Sequence, residues 1–262
     1  MNLEIIKKVG LEAAFNGAKV TSSLLGRISH INKKGTIDLL TEADTGSEQA
    51  IINTIRERFP DHSILSEETG EINQNPEYEW IIDPLDGTTN FAHGINHYAI
   101  SIAFTISKKI VVAIVLNPKA NELFTAVLGK GAALNGNVIK VSTVDSVSES
   151  LLVTGFPYNF KEIFENVLAR FSNCLKAAQG IRRYGSAALD LCYIACGRFD
   201  GFWEQNLKPW DTAAGFLIAT EAGAVVTDFS NLPYEMENKE ILATNGKIHG
   251  QMLSLLKIKD GI

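Results

Sequence analysis

The stretch Trp80-Ile81-Ile82-Asp83-Pro84-Leu85-Asp86-Gly87-Thr88-Thr89-Asn90-Phe91 constrains this chain more than any other. Residues 80–82 are an apolar run that reads as a buried strand. The run then delivers two carboxylates three residues apart, with proline and glycine shaping the turn around them. Buried like charges repel, and they are costly to desolvate unless a cation lies between them. Hard divalent cations take oxygen ligands, and Mg2+ is the usual one where phosphate is bound. Gly87, Thr88 and Thr89 can open a helix whose free N–H groups face an anion. Asp-Pro and Asp-Gly are also common turn formers, so on this segment alone metal binding and plain turn both stand. A helix–loop–helix calcium site does not, because Pro84 and Leu85 supply none of the oxygen side chains that such a loop alternates.

The 262 residues allow a large core in one or two domains. The net charge of -6 argues against a broad electrostatic footprint for nucleic acid, and Lys and Arg are scattered beyond the doublets Lys33-Lys34 and Arg182-Arg183. No direct nucleic-acid or membrane partner is expected, since no apolar run approaches a membrane span and the N-terminus carries no signal-peptide pattern. The three cysteines, Cys174, Cys192 and Cys196, are an odd, sparse set that suggests reduced thiols in a cytoplasmic protein. Cys192 and Cys196 share a helix face, but no matching pair at zinc spacing follows, and core packing is the expected role.

Apolar periodicity predicts a helix over 3–25, a polar loop or hairpin over 28–40, and a capping box at Thr41 and Asp44 that opens a helix ending at Pro60. Strand-like runs follow at 62–66, 79–82, 99–106, 110–116 and 123–128, with Lys108-Lys109 marking a hairpin turn. Further strands are expected at 151–154, 199–203, 224–227 and 240–243. Helices are expected at 160–178, 186–196, 212–222 and 247–257. The helix over 160–178 carries Ile163, Phe164, Val167, Leu168, Phe171 and Leu175 on one face. Hairpins first, then strands alternating with helices, predict an α+β fold of layered sheets and helices. A join near 140–150 divides the chain into an N-terminal half, 1–145, and a C-terminal half, 146–262, packed as one unit.

Other acids share the oddity of the first pair. Glu67 and Glu68 follow Ile64-Leu65 at a strand end, Asp211 starts a helix of small residues, and Asp44 lies in the first turn of its helix. Singly, Asp44 and Asp211 read as helix-capping acids and Glu67 and Glu68 as loop acids. Together with Asp83 and Asp86 they fit a site for two or more metals, which clamps the attacking and leaving oxygens of an in-line displacement. His93 and His97 lack a third ligand at diagnostic spacing and read as structural. No Gly-x-Ser-x-Gly elbow, phosphate-binding P-loop or dinucleotide fingerprint is present, and nothing points to a serine or cysteine nucleophile.

The run from Asp83 to Phe91 resembles the first signature of the inositol monophosphatase family, and Trp210-Asp211-Thr212-Ala213-Ala214-Gly215, continuing to Glu221-Ala222-Gly223, resembles the second. Asn117-Pro118, Asn121-Glu122-Leu123-Phe124, Leu134-Asn135-Gly136 and Gly185-Ser186-Ala187-Ala188 match as well, so the similarity spans nearly the whole chain. The stretch Arg182-Arg183-Tyr184-Gly185-Ser186-Ala187-Ala188-Leu189-Asp190 is most similar to bacterial members. The resemblance implies an α-β-α-β-α sandwich of the sugar-phosphatase type and Mg2+-dependent hydrolysis of a small phosphate monoester. It implies that Glu67, Asp83 and the Leu85 carbonyl hold one Mg2+, that Asp83, Asp86 and Asp211 hold a second, and that a third, weaker ion sits near Glu67. Asp44 and Thr88 would orient the attacking water and Glu67 would help to activate it. Gly87 and Thr88 would donate N–H groups to the phosphate, while Asp86, Ala187, Glu204 and Asp211 would face the substrate.

Lys33 falls at the family's mobile-loop lysine, with Lys34 an alternative. Arg182 and Arg183 suit either a second phosphate, as in fructose 1,6-bisphosphate, or a dimer interface. The resemblance further implies a homodimer, inhibition by millimolar Li+, and inositol 1-phosphate or a broader set of sugar phosphates as substrate. A non-enzymatic reading, a regulatory binding module of the transcription machinery, uses the same fold as a scaffold. The chain departs from the family pattern at Ser66 and at Ala224, where glycine is usual; neither position supplies a ligand.

Overall fold

A computed structural model describes residues 1–27, 31–33 and 39–258, with the backbone alone for 31–33. α1 (Leu3–Leu24) is capped by the Asn2 side chain, which accepts from the Glu4 N–H. An antiparallel pair, β1 (Ile31–Lys33) and β2 (Leu39–Thr41), leads into α2 (Glu42–Arg58). The capping box at Thr41 and Asp44 is present as expected. Lys33 ends β1; its side chain, and all of Lys34, lie outside the described residues.

The next strands are β3 (Ser63–Ser66), β4 (Gly70–Ile72) and β5 (Tyr78–Asp86), followed by the short α3 (Thr88–Ala92). After these come β6 (Ala99–Ile106), β7 (Lys109–Asn117), β8 (Glu122–Val127), β9 (Ala132–Leu134) and β10 (Asn137–Val138). They form one eight-stranded sheet in the order β10-β9-β8-β7-β6-β5-β3-β4, antiparallel throughout except for β3 with β5. Ser107 and Lys108 both take positive φ, which is the backbone a tight hairpin between β6 and β7 requires.

The remainder builds β11 (Leu151–Thr154), α4 (Phe164–Ala177), β12 (Gly180–Arg182), α5 (Ala187–Ala195), β13 (Gly201–Gln205) and α6 (Pro209–Glu221). β14 (Val225–Thr227), β15 (Glu240–Thr244) and α7 (His249–Leu256) close the fold. The second sheet runs β12-β11-β13-β15-β14, parallel around β11 and antiparallel beyond it.

Side-chain alternation along β5 explains the layering. Trp80 and Ile82 point to one face, where they meet Ile6 and Val9 of α1 and Ile51 and Ile55 of α2. Ile81 points to the other face, towards Leu189 of α5 and Ile218 of α6. The same two helices reach Phe202 and Ala243 of the second sheet. Beyond that sheet, Trp203 and Leu242 pack on Cys174 of α4 and on Met252 and Leu256 of α7. The result is the expected α-β-α-β-α sandwich. Both faces of the large sheet are covered, so β6 and β7 read as continuous apolar runs. Each fully buried aliphatic or aromatic side chain in these layers is worth roughly 1.5–3 kcal/mol.

The apolar face expected on the helix over 160–178 does not turn inward as a whole. The helix begins at Phe164 after a short 3-10 turn; Phe164, Leu168 and Leu175 are 47%, 47% and 55% exposed, whereas Arg170 and Cys174 are buried. Arg170 fixes this orientation, because its Nε donates to the Leu256 carbonyl at the end of α7 and its Nη1 donates to Gln205. Two other segments differ at their ends. α6 starts at Pro209, which fits the first helical turn because its missing N–H is not needed there. β5 runs on through the acidic pair rather than stopping at residue 82.

Candidate active site

Asp83 and Asp86 lie within β5, where the pairing with β6 slips between them. Pro84 has no N–H for the ladder, so a bulge at this point is its natural place. The Pro84 carbonyl accepts from Ser47 Oγ of α2 at 2.8 Å, which ties the bulge to the neighbouring layer. Asp83 Oδ1 accepts the Leu85 N–H at 3.0 Å. Asp86 Oδ2 accepts from Ser186 Oγ at 2.6 Å and from the Ala188 N–H at 2.8 Å, at the start of α5. Gly87 has φ 98, and a Cβ there would crowd the carbonyls of Gly185 and His97 at 3.1 and 3.2 Å. Glycine is therefore required at 87 both for backbone conformation and for space.

Thr88 Oγ1 lies 2.9 Å from Asp44 Oδ1 and 3.1 Å from the Leu85 carbonyl, so its single proton serves these acceptors. The second oxygen of Asp44 accepts from the Thr41 N–H and hydroxyl at 2.7 and 2.6 Å. The capping contacts and the contact with Thr88 thus fall on opposite oxygens of Asp44. Glu67 follows β3, and its N–H donates to the Ile82 carbonyl at 3.2 Å. The loop beyond it is clamped by Glu48 of α2, which accepts from the Glu68 and Thr69 N–H groups, each at 3.1 Å, and from the Thr69 hydroxyl. Asp211 is the third residue of α6 and accepts the Lys208 N–H at 2.7 Å. Glu204 lies on β13 opposite Ile241 and is 7% exposed.

These elements converge on one cavity of about 840 Å3. Glu67, Asp83, Leu85, Asp86, Gly87, Thr88, Ala187, Glu204, Asp211 and Arg183 all line it. Asp44 stands behind Thr88 instead of on the wall. Arg182 is an exposed strand residue outside the lining. His93 and His97 do not share a helix, since α3 ends at Ala92; His97 packs its ring between Tyr184 and Tyr193. Cys192 is buried in the core on α5, and Cys196, which caps that helix, packs partly buried against the same cluster.

The electrostatics of the cavity are dominated by burial, which hydrogen bonds and Arg183 offset only in part. Burial pushes the Asp83 carboxyl well above its ordinary range, and repulsion from Glu67, Asp86 and Asp211 adds to this. Burial raises Asp86 to about 6, opposed by the hydrogen bonds from Ser186 and Ala188. Burial likewise raises Glu204 to about 8, with Arg183 opposing and Asp211 and Asp86 adding, and raises Asp211 to about 8 against the Lys208 N–H bond. Among the described residues no three His, Cys, Asp or Glu side chains are gathered as a ready cation cage. The donor set nonetheless fits a hard divalent ion: it consists of carboxylate and carbonyl oxygens, and Asp83, Asp86 and Asp211 each commit one oxygen to a backbone N–H.

Two residues around the site carry no signal that sequence reasoning picks up. Glu48 and Gly155 are silent because their partners come from distant segments. Asp190 lies within the stretch similar to bacterial relatives, and it lines the cavity with Oδ1 buried and unpartnered among the described residues.

This five-layer fold around a carboxylate-walled cavity is that of a phosphoric monoester hydrolase, and comparison with known proteins agrees. Residues 2–259 match the model of the Inositol monophosphatase family. An inositol-1-monophosphatase of Synechocystis is 44% identical over 97% of this chain and 90% of that protein. A Pseudomonas aeruginosa protein named Nus factor SuhB is 41% identical over 95% of this chain and 94% of its own length. The crystal structure of extragenic suppressor protein suhB from Bartonella henselae superposes with TM-score 0.93 at 37% identity, covering 98% of this chain and all of the other. The inositol monophosphatase structure from Anabaena superposes with TM-score 0.89 at 40% identity, covering 98% of this chain and 96% of that one. The chain belongs to the inositol monophosphatase family.

Proposed function

We propose that the protein hydrolyses inositol 1-phosphate, or a closely similar polyol phosphate, to the free alcohol and phosphate with Mg2+ as cofactor. The observation that carries this reading is the single cavity in which Glu67, Asp83, Asp86 and Asp211 meet the Thr88 hydroxyl and the Glu204 carboxyl. Glu67, Asp83, Asp86, Asp211 and the Leu85 carbonyl would hold two or three Mg2+ ions, whose charge lowers the pKa of water and stabilises a leaving alkoxide. Asp44 engages the Thr88 hydroxyl proton, which leaves the oxygen of Thr88 as an acceptor that aims the attacking water. Glu67 serves as the base that takes up the water's proton. The Gly87 and Thr88 N–H groups hold the phosphate. Glu204, Ala187 and Asp211 face the alcohol, Glu204 accepting from one of its hydroxyls, and Arg183 offers a cation to a second anionic group where the substrate has one.

The test is phosphate release from inositol 1-phosphate, fructose 1,6-bisphosphate, histidinol phosphate and adenosine 3′,5′-bisphosphate, each with Mg2+ and with EDTA. Mg2+-dependent release with inositol 1-phosphate favoured supports the reading; release from fructose 1,6-bisphosphate alone would shift it to that substrate through Arg183. No release from any substrate by folded protein would overturn it. The same reading carries Li+ inhibition, a homodimer, a cytoplasmic location, Lys33 acting from the end of β1, and two packed halves at 1–145 and 146–262. Among the described residues no helix is long and apolar enough to cross a membrane.

The relatives named Nus factor SuhB motivate a second reading, a regulatory role with the transcription machinery. The two readings separate in one variant. Asp83→Asn should abolish phosphate release, while a role resting on protein contacts alone would survive it.

A further inference from the structure

We propose that Gly155 is a positioning residue: its missing side chain makes the seat in which the Glu204 carboxylate rests, and so residue 155 selects the alcohol portion of the substrate. This rests on the reading of Glu204 as the acceptor for a substrate hydroxyl.

The seat follows from strand register. β11 and β13 run parallel, with Thr154 paired to Trp203, so residue 155 emerges beside residue 204. The Thr154 hydroxyl donates to the Trp203 carbonyl at 2.7 Å and fixes the two strand ends relative to one another. A Cβ built on Gly155 would overlap Cδ, Oε1 and Oε2 of Glu204, all inside contact distance. Gly155 is absent from the glycines with positive φ, so alanine can adopt its backbone and the requirement is one of space. Glu204 is almost fully buried, and the direction in which it can yield is the cavity it lines, where Arg183 attracts it and the carboxylates of Asp86, Asp190 and Asp211 repel it. Any side chain at 155 therefore drives the acid out of its seat and into the cavity that both residues line. The displaced acid loses its aim at a hydroxyl and takes up space meant for a ring-sized alcohol. A chain with a larger residue at 155 should favour phosphate esters of small alcohols or of alcohols without further hydroxyls.

The experiment compares wild type, Gly155→Ala, Glu204→Ala, Gly155→Ala/Glu204→Ala and Gly155→Ala/Glu204→Asp as full-length proteins with saturating Mg2+. The readout is kcat/KM for inositol 1-phosphate divided by kcat/KM for p-nitrophenyl phosphate, which offers no alcohol hydroxyl. Gly155→Ala should lower this ratio by about 10- to 100-fold, mostly through KM, the scale expected for losing a hydrogen bond to a charged group. In the Glu204→Ala background the same substitution should leave the ratio unchanged, because the effect passes through Glu204. The shorter acid in Gly155→Ala/Glu204→Asp clears the new methyl group, so this variant should recover part of the ratio and should fold even if Gly155→Ala does not. An unaltered ratio in Gly155→Ala, or an equal drop with and without Glu204, would overturn the proposal, as would absence of any recovery with Glu204→Asp. A wild-type ratio already no greater than that of Glu204→Ala would instead remove the reading of Glu204 on which the proposal rests, and that outcome is visible without touching Gly155.

Discussion

Replacing Glu204 by glutamine should stabilise the metal-free protein while impairing its function. In the folded chain burial raises this carboxyl to about 8 from an ordinary value of 4.5. The unfolded chain therefore releases the proton at lower pH than the folded chain does. Stability contributed by this group is intact below about pH 4.5 and is lost progressively as pH rises to about 8. At neutral pH the span already crossed is about 2.5 pH units, and at 1.36 kcal/mol per unit the cost is roughly 3 kcal/mol. Glutamine keeps the shape and has no proton to lose; an imperfectly paired buried amide returns about 1 kcal/mol of that gain. The net gain of roughly 2 kcal/mol corresponds to about 4–8 °C in Tm for a chain of this size. Thermal melts in EDTA should show Glu204→Gln and wild type nearly coincident near pH 5 and separated in favour of the variant near pH 8. Added Mg2+ should narrow the gap, since positive charge in the cavity relieves the wild-type acid. A variant that melts at or below wild type near pH 8 in EDTA, or a gain that does not vary with pH, would refute the reasoning.

Other perturbations address the chemistry and its support. Asp83→Asn should fold normally by circular dichroism yet lose turnover by more than about a thousandfold, because the carboxylate assigned to both cations is gone; near-normal kcat would remove the metal-site assignment. Glu48→Ala strands two N–H groups and a hydroxyl in the loop after Glu67. It should cost about 3 kcal/mol in denaturant titrations and raise the Mg2+ concentration for half-maximal activity. Thr88→Ala should lower kcat by about 100-fold with little change in KM, and Thr88→Ser should restore most of it, since serine keeps the hydroxyl that faces Asp44.

How much of this is legible in the sequence depends on how local each signal is. The helix expected over 3–25 carries its own periodicity and the helix expected from Thr41 and Asp44 to Pro60 carries its own cap, and they form as Leu3–Leu24 and Glu42–Arg58. The strands 99–106 and 110–116 carry a turn with the right backbone between them, and the hairpin follows. Residues 160–178 mislead because period alone states that a helix is two-faced and not which face is covered. Arg170 settles the matter through bonds to Leu256 and Gln205, residues 86 and 35 positions away. The short strands at 70–72, 132–134 and 137–138 have too few residues to show a pattern, and their pairing partners give them their form.

The acids of the cavity are legible for a different reason: Asp83 and Asp86 break a local rule, and Glu67 and Asp211 draw attention once that pair is seen. A carboxylate inside a buried strand, a proline within that strand and a glycine with φ 98 directly after it all oppose simple stability, and such conflicts gather at functional sites. Asp83 and Asp86 therefore stand out in the sequence itself, whereas Glu67 and Asp211 stand out only beside them. Gly155 and Glu48 break nothing locally, since glycine at a strand end and an acid on a polar helix are ordinary, whereas Asp190 is an acid inside the apolar run of α5 that shows no partner until the fold is seen. Their roles arise from register between β11 and β13, from the approach of α5 to the cavity, and from a loop 20 residues beyond α2's Glu48. Residues at odds with their own local structure, as Asp83 and Asp86 are, can be read in one dimension. Residues whose place depends on a distant neighbour break no local rule, so the folded register is what reveals them.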